Sequence, residues 1–424
     1  MSNVLLAEMT VNPALGIVIF TLGGLAGAVF YLPFKKVKHW AWESYWAVYA
    51  LFALLIVPGV LMLATAPNSL AVLKATPMNS LGYICLCGAA WGIGGLTWGL
   101  MIRYLGVGLG LALGCGLCSA AGTIIPKVIN QEIGLLFEPG AGITSFMGVL
   151  VSIAGIVFVG MAGMSKENEL PEEEKKKAVA EFNFKKGILV VLFSGLMSAS
   201  LNFGLQGGPD IELKAQYGSE STLVKGDEKN APPDMAGAVG VVYDKSRGFW
   251  VLPKAAAGET LTSQTWRGIP VLVVALLGGF AVNFLWCLYL NFKNKTLSDY
   301  TKSGIPIAGN FVFAAIAGAI WCSQFICFKT GEPAMGPTAY VGWSVLMAAQ
   351  ILFSSLLGVM LGEWKGTSSK TRSLLVVGLL LLVASSVVAG YSGYLSQSKT
   401  APALIEEVVP VVPQTPALSF LRIN

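Results

Sequence analysis

The sequence predicts an all-α integral membrane protein of ten transmembrane helices, arranged as two inverted five-helix repeats with both termini outside (N-out/C-out). Three observations predict it. Hydrophobic residues make up 54% of the chain against 12% charged, and the mean hydropathy is +0.68, far from a soluble domain. The apolar residues fall into ten stretches of spanning length, and Lys and Arg gather in alternate loops between them. Glycine, at 50 of 424 residues, exceeds the usual share of about 7%, as expected where helices pack closely in lipid.

A hydrocarbon core of about 30 Å takes roughly 20 residues of helix to cross. The ten stretches are 11–32, 44–65, 78–100, 105–126, 142–163, 187–205, 269–292, 308–328, 338–361 and 373–394. The first has no basic region before it and no small-residue cleavage site after it, so it reads as a retained helix and not a signal peptide. The third and fourth are separated only by a short gap at Arg103, which also admits one bent element.

The loops set the orientation. One side holds Lys35, Lys36 and Lys38, then Arg103, then Lys166, Lys175, Lys176, Lys177, Lys185 and Lys186, then Lys293, Lys295 and Lys302, and last Lys365, Lys370 and Arg372. The other side holds Lys74, Lys127, Lys329, Lys399 and Arg422 outside one long loop, and long loops are translocated largely regardless of charge. The lysine-rich side is therefore cytoplasmic. The formal charge of +5 belongs to these loops, so it does not point to nucleic acid. Trp40, Trp42, Tyr45 and Trp46, at the start of the second span, suit the headgroup belt.

Five spans per half require a duplicated unit to enter the membrane in opposite senses. GIVIFTLGGLAGAVF (16–30) aligned with GILVVLFSGLMSASL (187–201) matches Gly16 with Gly187, Gly24 with Gly195 and Ala28 with Ala199. GAAW (88–91) and GAIW (318–321) place Trp91 opposite Trp321. Inverted repeats are a recurrent plan of secondary transporters, with the substrate near the midplane. The first repeat is then 1–163, a charged cytoplasmic connector is 164–186, and the second repeat is 187–394. That repeat contains a periplasmic insertion, 206–268, and a periplasmic tail follows at 395–424. Within the insertion VGVVYDKSRGFWVLP reads as a β-hairpin. The insertion as a whole reads as passive, with a cap over a substrate entrance as the alternative.

Several stretches are similar to one known family. PFKKVKHWAWESYW (33–46), WGIGGLTWGLMIRYLGVGLGLALG (91–114), EFNFKKGILVVLFSG (181–195), IWCSQF (320–325) and GEW (362–364) resemble the bacterial L-rhamnose-proton symporter family of the drug/metabolite transporter superfamily. The resemblance runs from about Tyr31 to Trp364. It implies ten spans, a bacterial inner-membrane location, and import of a deoxy sugar with a proton by alternating access. It departs at 206–268 and in the tail, both longer here, and WGIGGLTWG lacks polar residues expected of close relatives.

A sugar site needs flat aromatic faces and amide or hydroxyl groups inside a mostly apolar cavity. The candidates within spans are Trp91 and Trp98 in the third, Asn202 in the sixth, Asn283 in the seventh, Trp321 and Gln324 in the eighth, and Tyr340, Trp343 and Gln350 in the ninth. Helix packing is the alternative for each. A proton carrier is expected to be an intramembrane carboxylate or histidine. By the span limits above none has an acid near its middle, so the proton-coupling candidates are Glu43 and Glu363 at helix ends, with Arg103 as a pairing cation. The single histidine, His39, reads as a surface residue of a cytoplasmic turn, and the seven cysteines as small core residues. No metal or cofactor is expected, and no nucleophile–base pair supports an enzyme. Expected partners are the sugar, the proton and membrane lipid. Another small-metabolite carrier or facilitator, or a membrane-embedded sugar sensor, remain the alternative readings.

Overall fold

The structure, a computed structural model, describes residues 11–169, 184–235, 238–360, 362 and 364–398; at 99, 102, 103, 105–112, 184, 397 and 398 it describes the backbone alone. Most of the connector, the tail beyond 398 and Glu363 lie outside the described residues. Among those described, 8 helical segments are long and apolar enough to cross a membrane, one of them the 54-residue stretch Ile307–Met360. This is an integral membrane protein made chiefly of helices.

Helix α1 (Pro13–Val29) starts on a proline, and Asn12 Oδ1 accepts the Leu15 N–H at 3.1 Å, satisfying a donor that the first turn leaves free. Helix α2 (Trp42–Thr65) carries one π turn at Phe52–Ile56, just before Pro58, which has no N–H to donate to the Leu54 carbonyl. Short α3 (Ser69–Ala75) leads to α4 (Met78–Ile129), then α5 (Ala141–Glu169), α6 (Phe184–Gln206) and α7 (Pro209–Tyr217). After the insertion come α8 (Ile269–Lys293), α9 (Ile307–Met335), α10 (Gly342–Met360) and α11 (Ser369–Ser398). A 3-10 turn, Gly336–Val341, separates α9 from α10.

Helix α4 replaces the two separate spans expected at 78–100 and 105–126. Its helical backbone is continuous, yet a Cβ on Gly114 would meet Met101 Sδ at 2.7 Å and the Trp98 ring at 3.4 Å. In a straight helix residues 101 and 114 would be roughly 20 Å apart. The chain therefore doubles back within the glycine-rich stretch between them.

Close approaches at glycines give the direction of each helix pair. Along α1, Gly16 meets Gly331 and Met335, and Gly27 meets Gln324, so α9 runs antiparallel to it; Phe20 on Gly342 and Gly24 on Ala349 make α10 parallel. The first arm of α4 runs antiparallel to α6 (Gly94 on Ser198, Gly204 on Cys87) and the second runs parallel (Gly195 on Leu117, Asn202 on Gly122). The first arm is parallel to α8 through Gly88 on Ala275 and Gly92 on Asn283, and α2 is antiparallel to α8 through Ser44–Asn291 and Trp46–Asn283. Lys38 on Asn310 and Tyr49 on Gly318 make α2 parallel to α9, while α5 and α11 pair antiparallel.

Trp40 and Trp46, expected in the headgroup belt, both take part in these contacts. Trp40 packs edge-on against Tyr300 and Phe311, and Trp46 Nε1 donates to Asn283 Oδ1 at 3.2 Å, while Trp42 stays outward. His39 is exposed, at a left-handed turn position.

The insertion is packed onto the helical body. Ile211, Leu213 and Ala215 of α7 are fully buried, and Asn68, between α2 and α3, donates to the Ala215 carbonyl at 2.9 Å and to Glu259 at 2.8 Å. The expected hairpin forms from β2 (Val242–Asp244) and β3 (Phe249–Leu252), and β1 (Thr222–Lys225) adds to the free edge of β3. Burial tends to raise the Glu259 pKa, but hydrogen bonds from Ala256, Asn68 and Ser219 outweigh it and leave it lowered. Asp244 is lowered too, its desolvation overcome by the Arg267 guanidinium. A carboxylate lowered in the folded state contributes stability that is complete above its unfolded pKa and is lost as pH falls through the native one. Proteolytic cleavage within 206–268 is therefore expected to be slow near neutral pH and to accelerate as pH drops below the ordinary values of 4.5 and 3.8, which limited proteolysis across pH 3–7 with an acid-tolerant protease measures.

Candidate functional site

The candidates fall into three groups. Asn202 and Tyr340 line a cavity of about 230 Å³ at the end of the helical body that carries the insertion, with Gln206, Lys127, Glu132 and Arg247. Since a water occupies about 30 Å³ of liquid, this is room for a small polar molecule. Asn202 Nδ2 donates to the Gly122 carbonyl at 2.6 Å, whereas its buried Oδ1 has no hydrogen-bond partner. A buried acceptor left unpaired costs about 1–3 kcal/mol, so this oxygen suits a ligand hydroxyl. Lys127 Nζ sits 4.6 Å above the Tyr340 ring and pairs with Glu132 at 2.8 Å.

The second group lies inside the helix body. Trp91 and Trp321 pack at 5.3 Å, Trp321 touches Phe325 at 4.8 Å, and Phe325 touches Trp343 at 6.2 Å. Trp343 in turn lies against Gly122 in the cavity wall. An aromatic column thus runs from the cavity to Trp91. Beside it Gln324 Nε2 donates to Gln350 Oε1 at 3.1 Å and Gln350 donates to the Gly27 carbonyl at 3.2 Å, while the buried Gln324 Oε1 is unpartnered.

The third group is tied into helix crossings: Trp98 Nε1 donates to Ser198 at 2.7 Å, Trp343 Nε1 to the Cys118 carbonyl at 3.2 Å, and Asn283 bonds both Trp46 and the Gly279 carbonyl. Glu43 lies at the opposite end of the body, buried and accepting from Asn294 at 2.9 Å and Thr296 at 3.0 Å. The Arg103 side chain and Glu363, the other proton-coupling candidates, lie outside the described residues.

Sequence reasoning missed the charged cluster against the cavity. Lys329 (0% exposed) and Glu332 (2%) are ion-paired one turn apart near the end of α9. Lys329 also meets Glu212 of α7 at 2.5 Å. From the β2–β3 turn Arg247 reaches Glu212 at 2.5 Å, Glu332 at 2.9 Å and Gln206 Oε1 at 3.0 Å, and Gln206 Nε2 donates to Glu332 Oε1 at 2.5 Å. Burial works against the Arg247 charge, but the two carboxylates more than offset it and raise its pKa, so the guanidinium stays ionised. Behind it Arg267 pairs with Asp244 at 2.5 Å and donates to Gln216 at 2.6 Å. The available signal was the Lys-x-x-Glu spacing of FKTGEP, which puts opposite charges on one helix face directly after an apolar run.

A family model described as L-rhamnose-proton symport protein matches residues 9–225 and 251–393. An L-rhamnose-proton symporter of Klebsiella pneumoniae (strain 342) is 28% identical over 380 residues, covering 89% of this chain and 97% of the relative. Those of Cronobacter sakazakii and of Escherichia coli strain SMS-3-5 are each 26% identical over the same length, covering 96% and 97% of the relative.

Proposed function

The chain belongs to the L-rhamnose-proton symport protein family, and from that premise we propose that it imports L-rhamnose or a related deoxy sugar together with a proton. It is a multi-pass protein of the bacterial inner membrane and a transporter, not an enzyme. The observation that carries this reading is the family match through both the early and the late helices. The geometry supplies the chemistry: a cavity with a free amide oxygen at Asn202 and the Tyr340 ring, leading to the Trp343–Phe325–Trp321–Trp91 column. Aromatic faces suit the C–H surface and methyl group of a deoxy sugar, and Asn202, Gln324 and Gln350 suit its hydroxyls. Trp98, Asn283 and Trp343 hold the helices that frame this path.

The body is ten spans in two inverted halves, 1–163 and 187–394, with the connector and lysine-rich loops in the cytoplasm. The helix pairings support it. Exchanging the halves turns α1 against α9 and α10 into α6 against the two arms of α4, and α2 beside α9 into α8 beside the first arm of α4. Each exchanged pair keeps its relative direction, and following the pairs around the body leaves α1 antiparallel to α6. Alternating access is then rocking of one half against the other. The insertion and the cavity face the periplasm, Glu43 the cytoplasm.

Competition tests the substrate. Excess unlabelled L-rhamnose is expected to suppress uptake of the labelled sugar into proteoliposomes more strongly than other hexoses do. Uptake of some other metabolite with no effect of L-rhamnose would favour a different carrier, and binding without movement a sensor. Asn202→Leu is expected to weaken L-rhamnose binding roughly 3–10-fold, the worth of one neutral hydrogen bond, by calorimetry on the purified protein. Unchanged affinity would remove Asn202 from the site.

A further inference from the structure

We infer that Glu332 is the residue that takes up the external proton, and that Arg247 is the cation the proton replaces when sugar enters the cavity. The inference rests on the transport reading above and assigns its coupling site. Three carboxylates, Glu212, Asp244 and Glu332, face three cations, Arg247, Arg267 and Lys329, in one buried cluster. α6 contributes only the neutral Gln206, and across the cavity Lys127 and Lys225 are both paired with Glu132. The cluster is charge-balanced while Arg247 is in place.

The three cations are not equally free. Lys329 is fully buried on α9, and Arg267 is held by Asp244, Gln216 and Ser246. Arg247 alone of the three lines the 230 Å³ cavity, so its side chain has space to swing into. With Asp244 it lies in 226–250, the stretch between the two segments that the family model matches, whereas Glu212, Arg267, Lys329 and Glu332 lie within them.

A sugar in the cavity presents hydroxyl oxygens to which a guanidinium donates well. Arg247, drawn to the sugar, leaves Glu212, Asp244 and Glu332 facing only Lys329 and Arg267. One uncompensated negative charge in a buried site is costly, and a proton from the outer water, bound at Glu332 Oε2 where Arg247 had been, restores balance. Gln206 Nε2 still donates to Oε1, and Lys329, which in the structure bridges Glu332 Oε2 and Glu212 Oε1, keeps its pair with Glu212 as the proton neutralises Glu332. Sugar binding and proton binding become linked through one arginine, and by linkage each strengthens the other.

The test is proton uptake on adding L-rhamnose to the detergent-solubilised full chain in weakly buffered solution, with calorimetric binding alongside. Wild type is expected to take up about one proton per bound sugar. E332Q is expected to bind the sugar with no proton uptake and, in proteoliposomes, to exchange labelled for unlabelled sugar while losing accumulation against its gradient. Should E332Q fail to fold, E332D serves in its place, keeping the uptake with a shifted pH midpoint; R247K is expected to retain coupling that R247Q loses. Wild-type proton uptake persisting in folded E332Q, or disappearing in E43Q instead, overturns the assignment. Wild type that binds no L-rhamnose overturns the transport reading and the assignment with it.

Discussion

Lys329→Met is expected to destabilise the protein by about 3–5 kcal/mol, because it removes one partner of a fully buried ion cluster and leaves Glu212 and Glu332 to share Arg247. Methionine keeps nearly the length and apolar stem of lysine, so the loss is of charge and not of volume. Lys245→Met is the contrast: its pair with Glu228, at 2.7 Å, is about half exposed on both sides, and such pairs contribute roughly 0–1 kcal/mol. Thermal unfolding in detergent should show a large drop for the first variant and almost none for the second. Adding Glu212→Gln to Lys329→Met should recover part of the loss by removing the surplus charge.

Gly88→Val is expected to abolish the folded protein. The first arm of α4 and α8 touch backbone to backbone: a Cβ on Gly88 would collide with the Ala275 carbonyl oxygen, and across the same contact one on Gly278 would collide with the Cys85 carbonyl oxygen. Neither neighbour is a side chain that can turn away, so the helices must separate, at a cost of at least about 3 kcal/mol. Gly59 on α2 has nothing within 4 Å of a Cβ, and Gly59→Ala should express as wild type. Yield of monodisperse protein after gel filtration distinguishes the two.

Much of this was legible in the sequence because lipid imposes a simple rule: apolar runs of about 20 residues become helices. The Trp91–Trp321 contact was half legible, since the similar stretches GAAW and GAIW set these two tryptophans opposite each other. The reversal in α4 was half legible, as a gap at Arg103 too short for an ordinary loop. The charged cluster was not legible, since hydropathy ended the eighth span at 328 and left Lys329 and Glu332 in a loop. They are buried only because Glu212 and Arg247, more than 80 residues earlier, fold down on them. The packing of the insertion was not legible for the same reason: α7 has a low apolar content, and what buries it is the helical body, a long-range contact with no local pattern. The partners of Trp40 and Trp46 were not legible either, since Tyr300, Phe311 and Asn283 lie more than 200 residues away in the chain.

Proton-coupled sugar import is tested most directly in proteoliposomes, by uptake of radiolabelled L-rhamnose with and without an imposed inward proton gradient. Accumulation above equilibrium that requires the gradient is the predicted result. Equilibration that ignores the gradient would contradict coupling, and a folded preparation that admits no L-rhamnose would contradict the substrate.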